Sequence, residues 1–246
     1  MIGLFTIFRK RLEETRRRER IEKENSRTIS RDSLRIWLDD VNRLRLFYKD
    51  VELTKGCGLS CGILSEGVWY SSTGQGFEFK KVSEDQMRII LRFSGIPIRQ
   101  EWLIRIDNLQ VISFDINTLL KDAQRIDKAK ADIFFSKAYS RLAFPLKDEI
   151  FPREFGALWN TKDYSEAEDS FIGCVSLKPD YPSICLKSTK GNKNSFSAGN
   201  TDSTLSSRVL EAQVEEADEY LKPGTYEHFK ILIQLYPDKS VLEDIL

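Results

Sequence analysis

Glu78 and Lys80, in the run Phe77-Glu78-Phe79-Lys80, are the residues whose types and spacing best suit catalysis. Side chains two apart on a strand share a face. There the carboxylate would hold Mg²⁺ while the neighbouring ammonium activates a water for attack on a phosphodiester. Such a centre needs a further aspartate upstream, and Asp50 is available, although glycine-rich sequence lies between. The same tetrapeptide also arises without chemistry, when an amphipathic strand turns phenylalanine inward and its charges outward.

The other reactive residue types fall short of a site. Cys57, Cys61, Cys174 and Cys185 could supply four thiolates, but zinc knuckles place two to four residues between paired cysteines, and the second pair has ten between its members. These thiols read as buried or incidental, and no metal is expected. In Gly56-Cys57-Gly58-Leu59-Ser60-Cys61-Gly62, Cys61 stands where a dinucleotide loop needs its third glycine, and strands follow instead of a helix. Gly74-Gln75-Gly76 lacks the lysine and hydroxyl of a phosphate loop, so the glycines of this region read as turns between short strands. His228 is the one histidine, and any Ser-His or Cys-His catalysis would have to use it. No glycine-flanked serine elbow accompanies it, and it reads as an ordinary strand-end residue. The chain is therefore expected to be non-enzymatic, with no catalytic residue, no cofactor and no small-molecule substrate.

Charge is more informative. The chain balances 38 basic against 38 acidic side chains, yet residues 9–31 carry ten basic and five acidic groups. That surplus is offset elsewhere, partly by Glu211, Glu215, Glu216, Asp218 and Glu219. Arg9, Lys10, Arg11, Arg16, Arg17, Arg18 and Arg20 crowd into twelve residues. Arginine suits phosphate because its planar fork donates two hydrogen bonds at once. Phe5, Ile7 and Phe8 precede the block, so an apolar head would enter a lipid interface while the basic stem meets anionic headgroups, at about 1 kcal/mol per basic residue. The same block would bind nucleic-acid phosphates with salt-dependent, sequence-independent affinity. Interleaved Glu13, Glu14 and Glu19 offer helical pairs with Arg17, Arg18 and Lys23, each worth roughly 0.2–0.5 kcal/mol. Pairing of residues 1–31 with the acidic 211–219 face of a second copy would give a homo-oligomer.

The apolar run at 1–8 precedes its charges, the reverse of a secretory signal, and no apolar run reaches the roughly 18–20 residues of a membrane span. Four cysteines are too few for a disulfide framework. The expected location is cytoplasmic, peripheral at the inner membrane face.

Positioning these groups falls to elements read from periodicity. Residues 7–26 predict a polar helix. Leu34, Trp37, Leu38, Val41, Leu44 and Tyr48 make a helical stripe over 30–48. Strands are expected at Val68–Ser71, Phe77–Val82, Met87–Phe93, Trp102–Ile106, Leu109–Phe114, Phe171–Leu177, Ser183–Leu186 and His228–Tyr236. A short helix is expected at 116–130, and 131–139 fits strand or helix. Residues 187–207, rich in Ser, Thr, Asn and Gly, read as a mobile surface loop. Leu210, Val214, Ala217 and Leu221 predict a helix near 205–222, stopped by Pro223-Gly224. The expected fold class is α+β: a basic helical arm at 1–30 and one domain at 31–246, with an antiparallel β-rich core of short strands and peripheral helices.

The function expected from this layout is a non-enzymatic intracellular assembly or adaptor protein whose arm contacts an anionic membrane surface or partner. Its architecture is similar to that of viral matrix, capsid and movement proteins, an analogy of layout alone. The alternative is a nucleic-acid-binding accessory protein or a Mg²⁺-dependent nuclease using Glu78 and Lys80.

Overall fold

Short polar residues that tolerate the left-handed region punctuate the N-terminal part of the chain. Asp32, Asn42 and Asp50 all have positive φ, and between them the apolar residues alternate. Leu34, Ile36 and Leu38, then Leu44, Leu46 and Tyr48, are buried at every second position. In this computed structural model, residues 15, 16, 19, 21–107, 110–144, 147–164, 171–189, 195–215 and 220–238 are described. Beyond a helical stretch at 21–26, they run as strand after strand.

The first half comprises β1 (Thr28–Arg31), β2 (Leu34–Leu38), β3 (Leu44–Tyr48), β4 (Val51–Glu52), β5 (Thr54–Ser65), β6 (Val68–Ser71), β7 (Phe77–Ser83), β8 (Gln86–Arg92), β9 (Ile98–Ile106) and β10 (Val111–Leu120). The second comprises β11 (Gln124–Arg125), β12 (Lys128–Phe135), β13 (Tyr139–Phe144), β14 (Lys147–Ile150), β15 (Asn160–Tyr164), β16 (Phe171–Ser176), β17 (Ser183–Ser188), β18 (Ser195–Asn200), β19 (Arg208–Glu215), β20 (Tyr220–Leu221) and β21 (Gly224–Tyr236). One sheet of ten strands runs β1-β2-β3-β5-β12-β19-β18-β15, with β4 added on β3 and β6 on β5. A second, of nine, runs β14-β13-β16-β17-β21-β10-β9-β8-β7, and β11 pairs with β20 apart from both. A single apolar cluster joins Ile63, Ala131, Ile133 and Leu210 of the first sheet to Ile89, Trp102, Ile104, Phe114 and Ile233 of the second, so the sheets pack face to face.

This architecture overturns the α+β expectation, because the described chain is nearly all antiparallel β-sheet. The 30–48 stripe was a coincidence of spacing. Its members belong to two strands reversed at Asn42, and Val41, which a helix would have buried, is exposed. The helix expected at 116–130 is the end of β10, β11 and the start of β12. The helix expected near 205–222 is β19 followed by β20, with 216–219 outside the described residues. β19 lies between β12 and β18 and is covered on both faces, which hides the solvent-facing polarity a surface strand would show. The loop expected at 187–207 contains β18, whose Ser197 and Asn200 are buried. Of the arm expected at 1–30, Thr15, Arg16, Glu19 and 21–26 are described and helical, whereas Arg27 is a turn and Thr28–Ser30 belong to β1, with Ile29 in the core, so the arm is shorter than expected.

Gly67, Gly74 and Gly76 lie between strands, as expected, but the first three glycines of the cluster serve a different purpose. Gly56, Gly58 and Gly62 lie inside β5. Thr54 pairs with Phe135 and Leu59 with Ile133, so four residues of β5 bulge opposite Phe134 alone. Gly58 (φ 73°) sits in that bulge, and a Cβ there would stand 2.0 Å from the Leu44 carbonyl oxygen. Only glycine permits the approach.

Candidate functional site

The sequences Lys128-Ala129-Lys130-Ala131-Asp132 on β12 and Glu211-Ala212-Gln213-Val214-Glu215 on β19 alternate small or apolar with charged or amide residues. Alanine and valine face the core, so the charged positions share the outer face of the ten-stranded sheet. Registers align Ser60, Asp132, Glu211 and Ser197 in one row across β5, β12, β19 and β18, with Gly62, Lys130, Gln213 and Ser195 in the next.

Side chains close this row into a network. The Lys130 ammonium donates to Glu211 Oε1 at 2.9 Å and reaches Asp132 Oδ2 at 3.2 Å. Ser197 donates its hydroxyl to Glu211 Oε2, and Gln213 Nε2 donates to Ser197 Oγ at 3.1 Å. Asp132 is only 4% exposed, and its Oδ1 has no partner. Burial pushes the Asp132 carboxyl up to about 7, against the pull of Lys130. Burial also opposes the charge on Glu211, but Lys130 and the Ser197 hydroxyl outweigh it and hold that carboxyl below its usual range. Lys130 is likewise held above its ordinary value by Asp132 and Glu211 in spite of burial. Of the two carboxyls, Asp132 is therefore the harder to ionise and Glu211 the easier.

Two indoles cover the ammonium. Trp69 comes from β6, two strands to one side of β12, and Trp159 immediately precedes β15, three strands to the other. Each ring centroid lies 5.3 Å from Lys130 Nζ. Gly62 makes room for this stack, because a Cβ there would press at 3.3 Å on both Trp69 and the Lys130 stem. Trp159 packs edge-on against Phe134 and donates its Nε1–H to Asp202 Oδ2 at 3.1 Å. The two indoles remain 47% and 40% exposed.

A second buried network lies in the other sheet. Trp102 donates to Gln100, Gln100 to Thr118, and the Thr118 hydroxyl meets His228 Nδ1 at 2.8 Å. His228, expected at a strand end, is buried within β21.

The residues singled out from the sequence are scattered. Glu78 and Lys80 are exposed on edge strand β7, where Glu78 pairs with Arg92 at 2.8 Å. Asp50 belongs to the turn between β3 and β4 of the ten-stranded sheet, whereas Glu78 and Lys80 lie on β7 of the other sheet. Cys57 and Cys61 lie in β5, Cys174 and Cys185 in β16 and β17 of the opposite sheet, and all four thiols are free. Among the described residues, no three metal-ligating side chains gather. Arg16 is exposed, whereas Phe5, Phe8, Arg9, Lys10, Arg11, Arg17, Arg18 and Arg20 lie outside the described residues. Lys23 pairs with Asp40 at 2.8 Å and Glu24 with Arg35 at 3.4 Å, so the arm is tied at its base to the β2–β3 hairpin. Of the acidic face expected at 211–219, Glu211 is buried and Glu215 pairs with Lys128. Sequence reading missed Trp69, Trp159, Lys130 and Asp132. The signal was the complementary charge alternation of β12 and β19.

Fold and site together define an antiparallel β-sandwich with a covered, charged row on one outer face. No protein-family model and no curated protein matches the chain. Among solved structures, the heparan sulfate lyase HepC from Pedobacter heparinus and a mutant of it each align at 8% identity with a TM-score of 0.49. The alignments cover 82% of this chain and 33% of the lyase chain. The chain thus spans about a third of that protein's length, and likeness of this order bears on neither activity nor ligand. Among the described residues, no helix is long and apolar enough to cross a membrane.

Proposed function

We propose that the protein is a non-enzymatic assembly or adaptor protein, in which a rigid β-sandwich carries a basic arm that meets an anionic membrane surface from the cytoplasmic side. The observation that supports this reading is how the folded part uses its cations. Arg31 pairs with Asp85, Arg43 and Arg45 with Asp39, Arg88 with Glu101, Arg125 with Asp127 and Lys162 with Glu149. Many of the sandwich's cations are thus paired within it, while the sequence concentrates a surplus at 9–20, just ahead of a helical stretch fastened to the scaffold by Lys23 and Glu24. A local excess of positive charge beside a net acidic body is suited to phosphate-bearing surfaces.

The test is co-sedimentation with vesicles containing phosphatidylserine. It compares the full chain, a form lacking 1–31, and a form with Arg16, Arg17, Arg18 and Arg20 replaced by Gln, at low and high salt. Binding that salt weakens and both changes abolish is the expected result. Binding that survives either change overturns the reading, as does failure of the full chain to bind. In the latter case, retention on duplex DNA or RNA would move the arm's partner to nucleic acid.

A further inference from the structure

The covered row of the ten-stranded sheet has an opening of defined chemistry. An ammonium carries three donors. Lys130 spends two of them on Glu211 and Asp132, and the rest of the ammonium faces the two indoles, which accept no conventional hydrogen bond. Beside it, Asp132 Oδ1 is an acceptor with no donor, on a side chain more than nine-tenths buried. One unused donor and one unused acceptor, adjacent beneath two aromatic plates, are complementary to a hydroxyl group, which accepts from one and donates to the other.

The plates narrow the choice of molecule. Trp69 and Trp159 reach the same point from opposite sides of β12 and hold fixed poses. One rests over Gly62, and the other is pinned by Asp202 and Phe134. Exposed tryptophans seated over a polar floor, with Gln213 beside Lys130 in the register, suit a ligand with one apolar face and a rim of hydroxyls. The core of a protein–protein interface is depleted of charged residues, whereas here the floor is lysine, carboxylates, amide and serine.

We propose that the outer face around Trp69, Lys130, Asp132 and Trp159 is a saccharide-binding site, in which pyranose C–H faces stack on the indoles and one ring hydroxyl enters between them to bridge Lys130 and Asp132. A sugar stacked on the indoles changes their surroundings. This site is separate from the arm, and vesicle binding neither supports nor opposes it.

Affinity electrophoresis of the full chain through gels containing xylan, hydroxyethyl cellulose, laminarin or hyaluronan tests the proposal, alongside tryptophan emission during titration with the corresponding oligosaccharides. At least one polysaccharide should retard the wild-type chain and shift its emission. Trp69→Ala and Trp159→Ala should each weaken that retardation at least tenfold, with Trp→Phe at the same positions recovering most of it. Circular dichroism confirms the fold of each variant. The neutral and the anionic gels tell whether Lys130 or the hydroxyl rim governs selectivity. Retardation by none of the four polysaccharides overturns the proposal, as does retardation that both alanine variants retain. A variant that loses both fold and binding is replaced in the comparison by Trp→Leu at the same position, which keeps apolar bulk and removes the aromatic face.

Discussion

Each sheet buries a polar network, and the two are built on different terms. In the nine-stranded sheet, Trp102, Gln100, Thr118 and His228 pass hydrogen bonds along three adjacent strands with no carboxylate among them. In the ten-stranded sheet, Lys130, Asp132 and Glu211 place three ionisable groups on two neighbouring strands. The first network lies in the shared core beside Phe114, the second beneath two half-exposed indoles. A chain of uncharged donors and acceptors can be sealed completely. A charged cluster pays heavily for desolvation and leaves residual valences near the surface.

The sharpest way to break this contrast is Lys130→Met. It leaves two carboxylates without their cation and should cost about 3–5 kcal/mol, measured by urea unfolding at pH 7. Asp132→Asn should change the pH dependence. The folded state keeps the Asp132 proton up to about 7, whereas an unfolded aspartate releases it near 3.8. The folded chain therefore binds the extra proton between those values, and this group's contribution falls as pH rises through that window, by at most about 1.4 kcal/mol per pH unit. Glu211 acts in the opposite sense, its stabilisation being lost as pH drops below the usual carboxylate range. The Asn variant should flatten the decline and exceed the parent in urea midpoint at pH 8; a parallel profile would refute the assignment of the proton. Thr118→Val, which interrupts the network of the other sheet, should cost roughly 1–3 kcal/mol. Gly62→Val should lift Trp69 from Lys130 for about 1 kcal/mol, visible as a shift in tryptophan emission. Smallest of all, Lys80→Ala on the exposed edge strand should stay within about 0.5 kcal/mol of the parent.

Legibility in the sequence follows the same division. Strands with one face toward solvent or toward a paired edge announced themselves: Val68–Ser71 is β6 to the residue, and the alternation at Phe77, Trp102 and Phe229 marks β7, β9 and β21. Segments whose polar residues are turned inward misled. Ser197 and Asn200 look like loop residues until Glu211 and Arg208 are seen to need them. Leu210 and Val214 fit a helical stripe as well as a strand, and the residue that decides, Ala212, is too small to weigh in a hydrophobic pattern. None of the covered site was read as one, because its parts lie up to about 140 residues apart along the chain, from Ser60 to Ser197, and register alone brings them into a row.

The order of the nine-stranded sheet has a consequence for synthesis. β7 to β10 form one run of neighbours and β13, β14, β16 and β17 another, and only β21 joins them. A ribosome that has not yet released Gly224–Tyr236 carries two half-sheets with open edges at β10 and β17, each able to recruit the wrong strand. The last strand acts as a keystone. A premature stop ahead of Gly224 should therefore yield aggregate instead of a shortened but soluble protein, and such chains should depend on chaperones until the final dozen residues of that strand emerge.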